Sequence, residues 1–310
     1  MTVYGRRRRR ALLGAVLALL LAYTAFVAVR HPLGDKGRAD VSAVSWPQQG
    51  QAALVLGDGP PAATLDEQPV AIASLAKVMT AYLILERYPL SDTQGGFTSI
   101  VSAGQAQEAA QDRTEGQSVV AVRAGEQLTE RQLLEALLIP SGNNIARMLA
   151  AEVAGSETRF ISEMNDEARA LGMDRTIYTD PSGLDSGTVS TAADQLSVFR
   201  HAMRFPVFRQ IVSMSSVTLP VAGTLTNYNP LTAEGYSGKT GSDSAAGGCL
   251  AFFTRVTVGA RRLTAVGVVL GQGEGSDTPA LLAAAGETAQ QLVDSVAPAI
   301  PVSTTSRRSQ

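Results

Sequence analysis

Hydrophobic positions along the chain fall into three regimes. The first is Ala11 to Val29, nineteen residues without a charge, directly after the five arginines Arg6 to Arg10. That length crosses a bilayer core as a helix. Basic residues ahead of such a span predict a cytoplasmic N-terminus and an extracytoplasmic remainder. A cleaved signal peptide is the alternative. However, the apolar region is longer than a usual signal, and Thr24-Ala25-Phe26-Val27-Ala28-Val29 holds no clean Ala-x-Ala site. The expectation is a cytoplasmic basic segment (1–10), an uncleaved transmembrane signal-anchor (11–29) and a polar linker (30–48), placing the protein in the cell membrane as a single-pass chain.

The second regime is mostly helical in period. Gln51 to Leu56 reads as a first strand, closed by Gly57-Asp58-Gly59-Pro60-Pro61. Ser74 to Leu85 is apolar almost all round, which predicts a buried helix ending before Pro89. The Gly-, Ser- and Gln-rich stretch 91–117 reads mostly as loop, with a short strand at Phe97 to Ser102. Thr129-Glu130-Arg131-Gln132 has the form of a capping box and opens a helix to Leu138. Pro140 stops that helix, and Ser141-Gly142-Asn143-Asn144 makes a turn. Helices are then predicted over Ile145 to Ala154, Thr158 to Leu171 and Ala192 to Arg204.

From Val217 the period falls to two. Strands are predicted over Val217 to Pro220, Gly223 to Tyr228, Gly238 to Thr240, Gly248 to Val258 and Arg262 to Leu270. An amphipathic helix, Thr278 to Val296, closes a domain over 49–296, and 297–310 reads as a disordered tail. This order predicts an α+β domain: an antiparallel sheet flanked by helices, with an inserted, mainly helical region.

Composition narrows the chemistry. A chain of 310 residues with 45% hydrophobic and 17% charged positions can bury a sizeable core, and a net charge of −2 gives no reason to expect a nucleic-acid partner. The single cysteine, Cys249, excludes an intramolecular disulfide and lies in an apolar run, where it reads as a core residue. His31 and His201 are too few to build a zinc hydrolase, and no nucleophile elbow supports a Ser-His-Asp triad, so neither metal nor cofactor is expected. Gly271-Gln272-Gly273-Glu274-Gly275 lacks the Lys and Ser/Thr of a phosphate loop and reads as a turn. Of 26 basic residues, only Lys36, Lys77 and Lys239 are lysines. Arginine stays protonated and cannot act as a base.

Two of those lysines sit in short motifs. Ser74-Leu75-Ala76-Lys77 places Ser and Lys one turn apart on one helix face. A lysine kept neutral by burial or by a second cation can take the serine's proton and make it a nucleophile. A helix start would add the positive end of the dipole. Taken alone, Ser-x-x-Lys is common by chance, Ser141-Gly142-Asn143 reads as a turn with a helix cap, and Lys239-Thr240-Gly241 as a strand-edge turn. In this order, at separations of 67 and 98 residues, the three match the motif set of penicillin-binding proteins and serine β-lactamases.

Flanking residues sharpen the match. Ile72 to Ala81 resembles the nucleophile helix of the low-molecular-mass D-alanyl-D-alanine carboxypeptidases. Leu138 to Asn144 resembles their second motif, where many members carry Asp in place of Asn144. Asp180-Pro181-Ser182-Gly183-Leu184-Asp185 and Ser237 to Gly247 are also similar, and the resemblance covers roughly 50–296. It implies a β-lactamase/transpeptidase-like fold and a peptidoglycan stem peptide ending in D-Ala-D-Ala as substrate, with β-lactam antibiotics as covalent inhibitors. Catalytic roles would fall to Ser74 as nucleophile, Lys77 as base and Ser141 as proton relay to the leaving amine. Asn143 would bind the substrate backbone or Lys77. Lys239 would supply fixed positive charge, Thr240 a hydroxyl for the terminal carboxylate, Gly241 close approach to the peptide, and Ser242 one of two oxyanion amides. No arginine follows the last strand, where some relatives carry one for the carboxylate.

Two other classes compete. A β-lactamase needs a dedicated deacylating base, and Glu163-Met164-Asn165-Asp166 does not match the Glu-x-x-Leu-Asn pattern that supplies it. A non-catalytic binding module is expected to have lost Ser74 or a lysine, and all three are present.

Overall fold

The computed structural model describes residues 44–91 and 94–297. The expected signal-anchor and most of the linker and tail lie outside them. Among the described residues, no helix is long and apolar enough to cross a membrane.

In chain order the elements are β1 (Gln51–Leu56), β2 (Ala62–Ala63), β3 (Val70–Ala71), a single 3-10 turn (Ala73–Leu75), α1 (Ala76–Arg87), β4 (Thr98–Ile100), α2 (Ala103–Thr114), β5 (Gln127–Thr129), α3 (Glu130–Leu138), α4 (Asn143–Ala154) and α5 (Glu157–Ala170). They continue as β6 (Val189–Ser190), α6 (Ala192–Ala202), α7 (Pro206–Val212), β7 (Ser216–Leu219), β8 (Gly223–Thr226), β9 (Ser237–Asp243), β10 (Gly247–Val258), β11 (Arg261–Gln272) and α8 (Thr278–Val296). The expected α+β order is present, with the helical block between the first strand and the last three.

The main sheet runs β2-β1-β11-β10-β9, and every pairing is antiparallel. β1 is buried at all six positions, so both of its faces are covered. Helix α6 packs on β1, β10 and β11, and α8 packs across β9, β10 and β11. β9 is left as an edge. Helix α1 is the centre of the helical block and packs against α3, α4, α5 and α6. That is why it is apolar nearly all round: Val78, Met79, Ala81, Ile84 and Leu85 all lie in the core.

Several expectations are corrected. Ser74 does not open the α-helix; it lies in the 3-10 turn, and α1 begins two residues later at Ala76. The stretch 91–117 is not mostly loop, because α2 occupies twelve of its residues and β4 three. Its start was legible as a capping box: the Ser102 hydroxyl accepts from the Gln105 amide, while the Gln105 side chain accepts from the Ser102 amide at 2.9 Å. What the sequence lacked was an apolar stripe. Only Ala109 and Asp112 of α2 are buried, and Arg147 of α4 ties the helix down through ion pairs to Glu108 and Asp112. Helix α4 begins at Asn143 rather than Ile145. Residues 205–216, given no element by periodicity, hold α7, which starts on Pro206 and buries Val207, Phe208, Ile211 and Val212. β7 and β8 pair only with each other and stay out of the main sheet.

The cap should be measurable. Replacing Ser102 by Ala leaves an orphan amide at the start of a helix with little buried apolar surface. Stability measured by denaturant unfolding is expected to fall by about 1 kcal/mol.

Candidate active site

Ser74 sits in the strained turn that hands β3 over to α1. Ala73 before it has φ = 45°, a left-handed conformation that costs a non-glycine residue energy. The turn leaves Ser74 half-buried and directs Lys77, the second residue of α1, into the interior with 0% exposure. Lys77 Nζ lies 2.7 Å from Ser74 Oγ, 2.8 Å from Asn143 Oδ1 and 2.9 Å from the Ser182 carbonyl. A neutral amine has two N–H donors and one lone pair. With Asn143 and Ser182 accepting the two N–H groups, the lone pair is left for the Ser74 hydroxyl. The pair can therefore pass a proton from Ser74 to Lys77.

The second motif arrives on the turn between α3 and α4. Ser141 is also left-handed, with φ = 60°. The turn is pinned by Gly142 N–H donating to Ala136 O at 3.1 Å and Asn143 N–H to Ser118 O at 2.8 Å. Asn144 holds the neighbouring segment with both halves of its amide, accepting from Val120 N–H at 3.0 Å and donating to Val120 O at 2.9 Å. The outcome is a fixed Ser141 hydroxyl that accepts from Lys239 Nζ at 2.9 Å.

The third motif lies wholly within β9, paired through Lys239↔Ala251, Thr240↔Leu250, Gly241↔Cys249 and Ser242↔Gly248. Its outer side is the sheet edge, which can accept an extended peptide as a further strand. Gly241 serves a closer approach than the one expected of it. A Cβ there would sit 2.9 Å from Ile72 O and 3.0 Å from Ser74 N, so the strand is pressed against the nucleophile turn itself. That contact brings Ser242, half-buried and next along the strand, into the neighbourhood of the Ser74 amide. The structure thus gathers Ser74, Lys77, Ser141, Asn143, Lys239, Thr240, Gly241 and Ser242 into one place.

Electrostatics distinguish the two lysines. Burial, followed by the nearby positive charge of Lys239 and then that of Arg147, pushes the Lys77 ammonium well below its ordinary range, with Asp180 pulling the other way. Burial alone lowers Lys239 to about 7. Lys239 is 1% exposed, so the positive charge that the resemblance implies for it depends on pH more than an exposed lysine's would. Among the described residues, no carboxylate is a hydrogen-bond partner of either lysine; their partners are hydroxyl, amide and carbonyl oxygens.

Several other titratable groups lie or are engaged elsewhere. Glu163 pairs with Arg87 at 2.8 Å and with Arg159, Glu152 accepts from Ser99, Glu167 from Tyr82, and Glu157 stands in the first turn of α5. His201 hydrogen-bonds through Nδ1 to its own helix at Ser197 O, and its ring packs edge-on against Tyr82. Cys249 is a core thiol pushed up to about 12 by burial. One functional group escaped the sequence reading, the Ser182 carbonyl. Its only signal was the run Asp180 to Asp185, noted without a role.

Comparison with known proteins agrees with this geometry. Over residues 62–273 the chain matches the Peptidase_S11 family, described as D-alanyl-D-alanine carboxypeptidase. It is 37% identical over 151 residues to the D-alanyl-D-alanine carboxypeptidase DacB2 of Mycobacterium tuberculosis, covering 48% of this chain and 47% of that one. It is 32% identical over 197 residues to DacC of Escherichia coli, covering 63% of this chain and 46% of that one. The chain thus spans about half the length of the curated relatives it matches. Among solved structures, the Streptomyces K15 DD-transpeptidase superposes with a TM-score of 0.67 at 23% identity, over 82% of this chain and 99% of that one, a likeness of fold. A penicillin-binding protein homolog from Mycobacterium tuberculosis superposes with a TM-score of 0.65 at 28% identity, over 84% and 96%. On a family match that takes in all three motifs, the chain belongs to the D-alanyl-D-alanine carboxypeptidase family.

Proposed function

We propose that this chain is a serine-type D-alanyl-D-alanine carboxypeptidase that removes the terminal D-Ala of peptidoglycan stem peptides and is acylated by β-lactams. The observation that carries the reading is Lys77 Nζ at 2.7 Å from Ser74 Oγ, buried, hydrogen-bonded to no carboxylate among the described residues and repelled by a second lysine. In the proposed reaction, Ser74 Oγ attacks the carbonyl of the penultimate D-Ala as its proton passes to Lys77. The backbone amides of Ser74 and Ser242 face the developing oxyanion. The Ser141 hydroxyl relays the proton held on Lys77 to the leaving amine, the C–N bond breaks, and D-alanine departs, leaving Lys77 neutral. Water then attacks the ester, again giving up its proton to Lys77, and Ser74 is restored. Asn143 and the edge of β9 hold the peptide, while Thr240 and Lys239 receive its carboxylate.

A β-lactamase would share the acylation step and differ in the second half. Glu152, Glu163 and Glu167 are engaged with Ser99, Arg87 and Tyr82, which leaves none of them as a base for water at the ester. This favours the carboxypeptidase reading. A non-catalytic module has no use for a neutral lysine held on a serine. The uncleaved Ala11 to Val29 anchor is part of the same proposal, holding the catalytic domain outside the cell membrane where peptidoglycan lies.

Four outcomes are expected. Fluorescent penicillin should label the full chain on Ser74 in a long-lived ester, while a peptide ending in D-Ala-D-Ala releases D-alanine; Ser74→Ala should abolish both. Rapid catalytic loss of penicillin with no D-alanine release would establish a β-lactamase instead. Acylation should have an acid limb, falling about tenfold per pH unit once Lys77 is protonated. On the other side, KM for an anionic peptide should rise above about pH 7 as free Lys239 loses its proton, whereas a C-terminally amidated peptide should not show that rise. For the anchor, the intact chain should stay with membranes in high salt and keep its N-terminus; sequencing that begins near residue 30 would show a cleaved signal.

A further inference from the structure

The lone-pair geometry at Lys77 depends on an acceptor that belongs to none of the three motifs, the Ser182 carbonyl at 2.9 Å. That carbonyl sits on a turn built around one side chain. Asp180 Oδ2 accepts from Ser182 N–H and Leu184 N–H, each at 3.0 Å, and from Ser182 Oγ at 2.5 Å, while Oδ1 accepts from Thr188 Oγ1 at 2.7 Å. The turn is clamped to α1 at two further points. Thr80 Oγ1 donates to Pro181 O at 2.7 Å. Gly183, with φ = 76°, passes so close under the nucleophile turn that a Cβ would lie 1.7 Å from Ala73 O. Nothing in the chemistry of Ser74, Ser141 or Lys239 requires this cluster of four donors on one carboxylate.

We propose that Asp180 is a positioning residue for the Ser74–Lys77 pair: it fixes the Ser182 carbonyl that holds one Lys77 N–H. The inference rests on the carboxypeptidase reading and adds a residue to it. Without the Ser182 acceptor, the amine is free to rotate and its lone pair is no longer confined to Ser74. The charge acts separately from the geometry. The groups that face Lys77 are Lys239 on β9, Arg147 on α4 and Asp180 on the turn; the first two disfavour the ammonium and Asp180 favours it. Glu157 on α5 adds a like charge near Asp180.

Two substitutions separate geometry from charge. Asp180→Asn can keep an oxygen at the Oδ2 position for its three donors and turn its NH2 toward the Thr188 hydroxyl, so the turn survives while the charge goes. Asp180→Ala removes both. The rate of penicillin acylation of the full chain is measured across a pH series, with thermal unfolding as a check on the fold. Asp180→Ala should lower the plateau rate by about 10²-fold, the cost of a misplaced reacting group. Asp180→Asn should recover most of that loss, and its acid limb should move to lower pH, because losing the carboxylate makes Lys77 easier to deprotonate. A merely structural Asp180 would change the fraction of labelled protein and leave the plateau rate of the folded fraction where it was, with no rescue for Asp180→Asn to make. A labelled wild type whose folded Asp180→Ala variant keeps the wild-type plateau rate overturns this proposal alone. A wild type that takes no label overturns the functional reading and the proposal with it.

Discussion

Two lysines buried in one site, with no carboxylate among the described residues hydrogen-bonded to either, are the constraint on which the rest depends. An ammonium taken out of water costs far more than ordinary contacts return unless a counter-charge meets it. Here the contacts are the oxygens of Ser74, Asn143 and Ser182 around Lys77, and of Ser141 and Thr240 around Lys239. Oxygen acceptors of that kind satisfy N–H groups without stabilising a full charge as a carboxylate would. The site therefore disfavours holding two protons at once. Lys77, buried and facing Lys239, is driven toward the neutral form in which an amine is a base. The same arrangement leaves Lys239 in want of an anion, which a peptide carboxylate can supply.

Holding that arrangement requires backbone that is costly elsewhere. Among the described residues only three non-glycine positions have positive φ, and two of them, Ala73 and Ser141, adjoin or belong to the site. Such strain persists where surrounding structure over-determines it. Here the determinants are visible: the Gly142 and Asn143 amides tie down Ser141, while Gly183 and Gly241 allow main chain to press on both sides of the Ser74 turn. The sheet contributes position and an open edge rather than chemistry. Helix α1, packed by four other helices, gives Lys77 a rigid base.

The sequence by itself determined a good deal. Residue period placed β1, α8 and the α3 capping box at the bounds the structure shows, because each has a strong local signal: an apolar strand, a long amphipathic run, a Thr-x-x-Gln start. The order of Ser74, Lys77, Ser141, Asn143, Lys239, Thr240 and Gly241 marked the site, since chemistry of this kind needs particular side chains and few alternatives were present in a chain with three lysines and two histidines.

What only the tertiary structure decided are matters of distance. Helix α2 was hidden because its partner is an arginine on another helix, and no local period records an ion pair. The strain at Ala73 and Ser141 was invisible, because nothing in those residue types asks for a left-handed backbone. That Lys239 is lowered to about 7 follows from how completely the surrounding chain buries it, a sum over many distant residues. The Ser182 carbonyl is main chain, which every residue carries, so no side-chain pattern could single it out. It reaches Lys77 across 105 positions of sequence because Asp180 folds its own turn and α1 receives it.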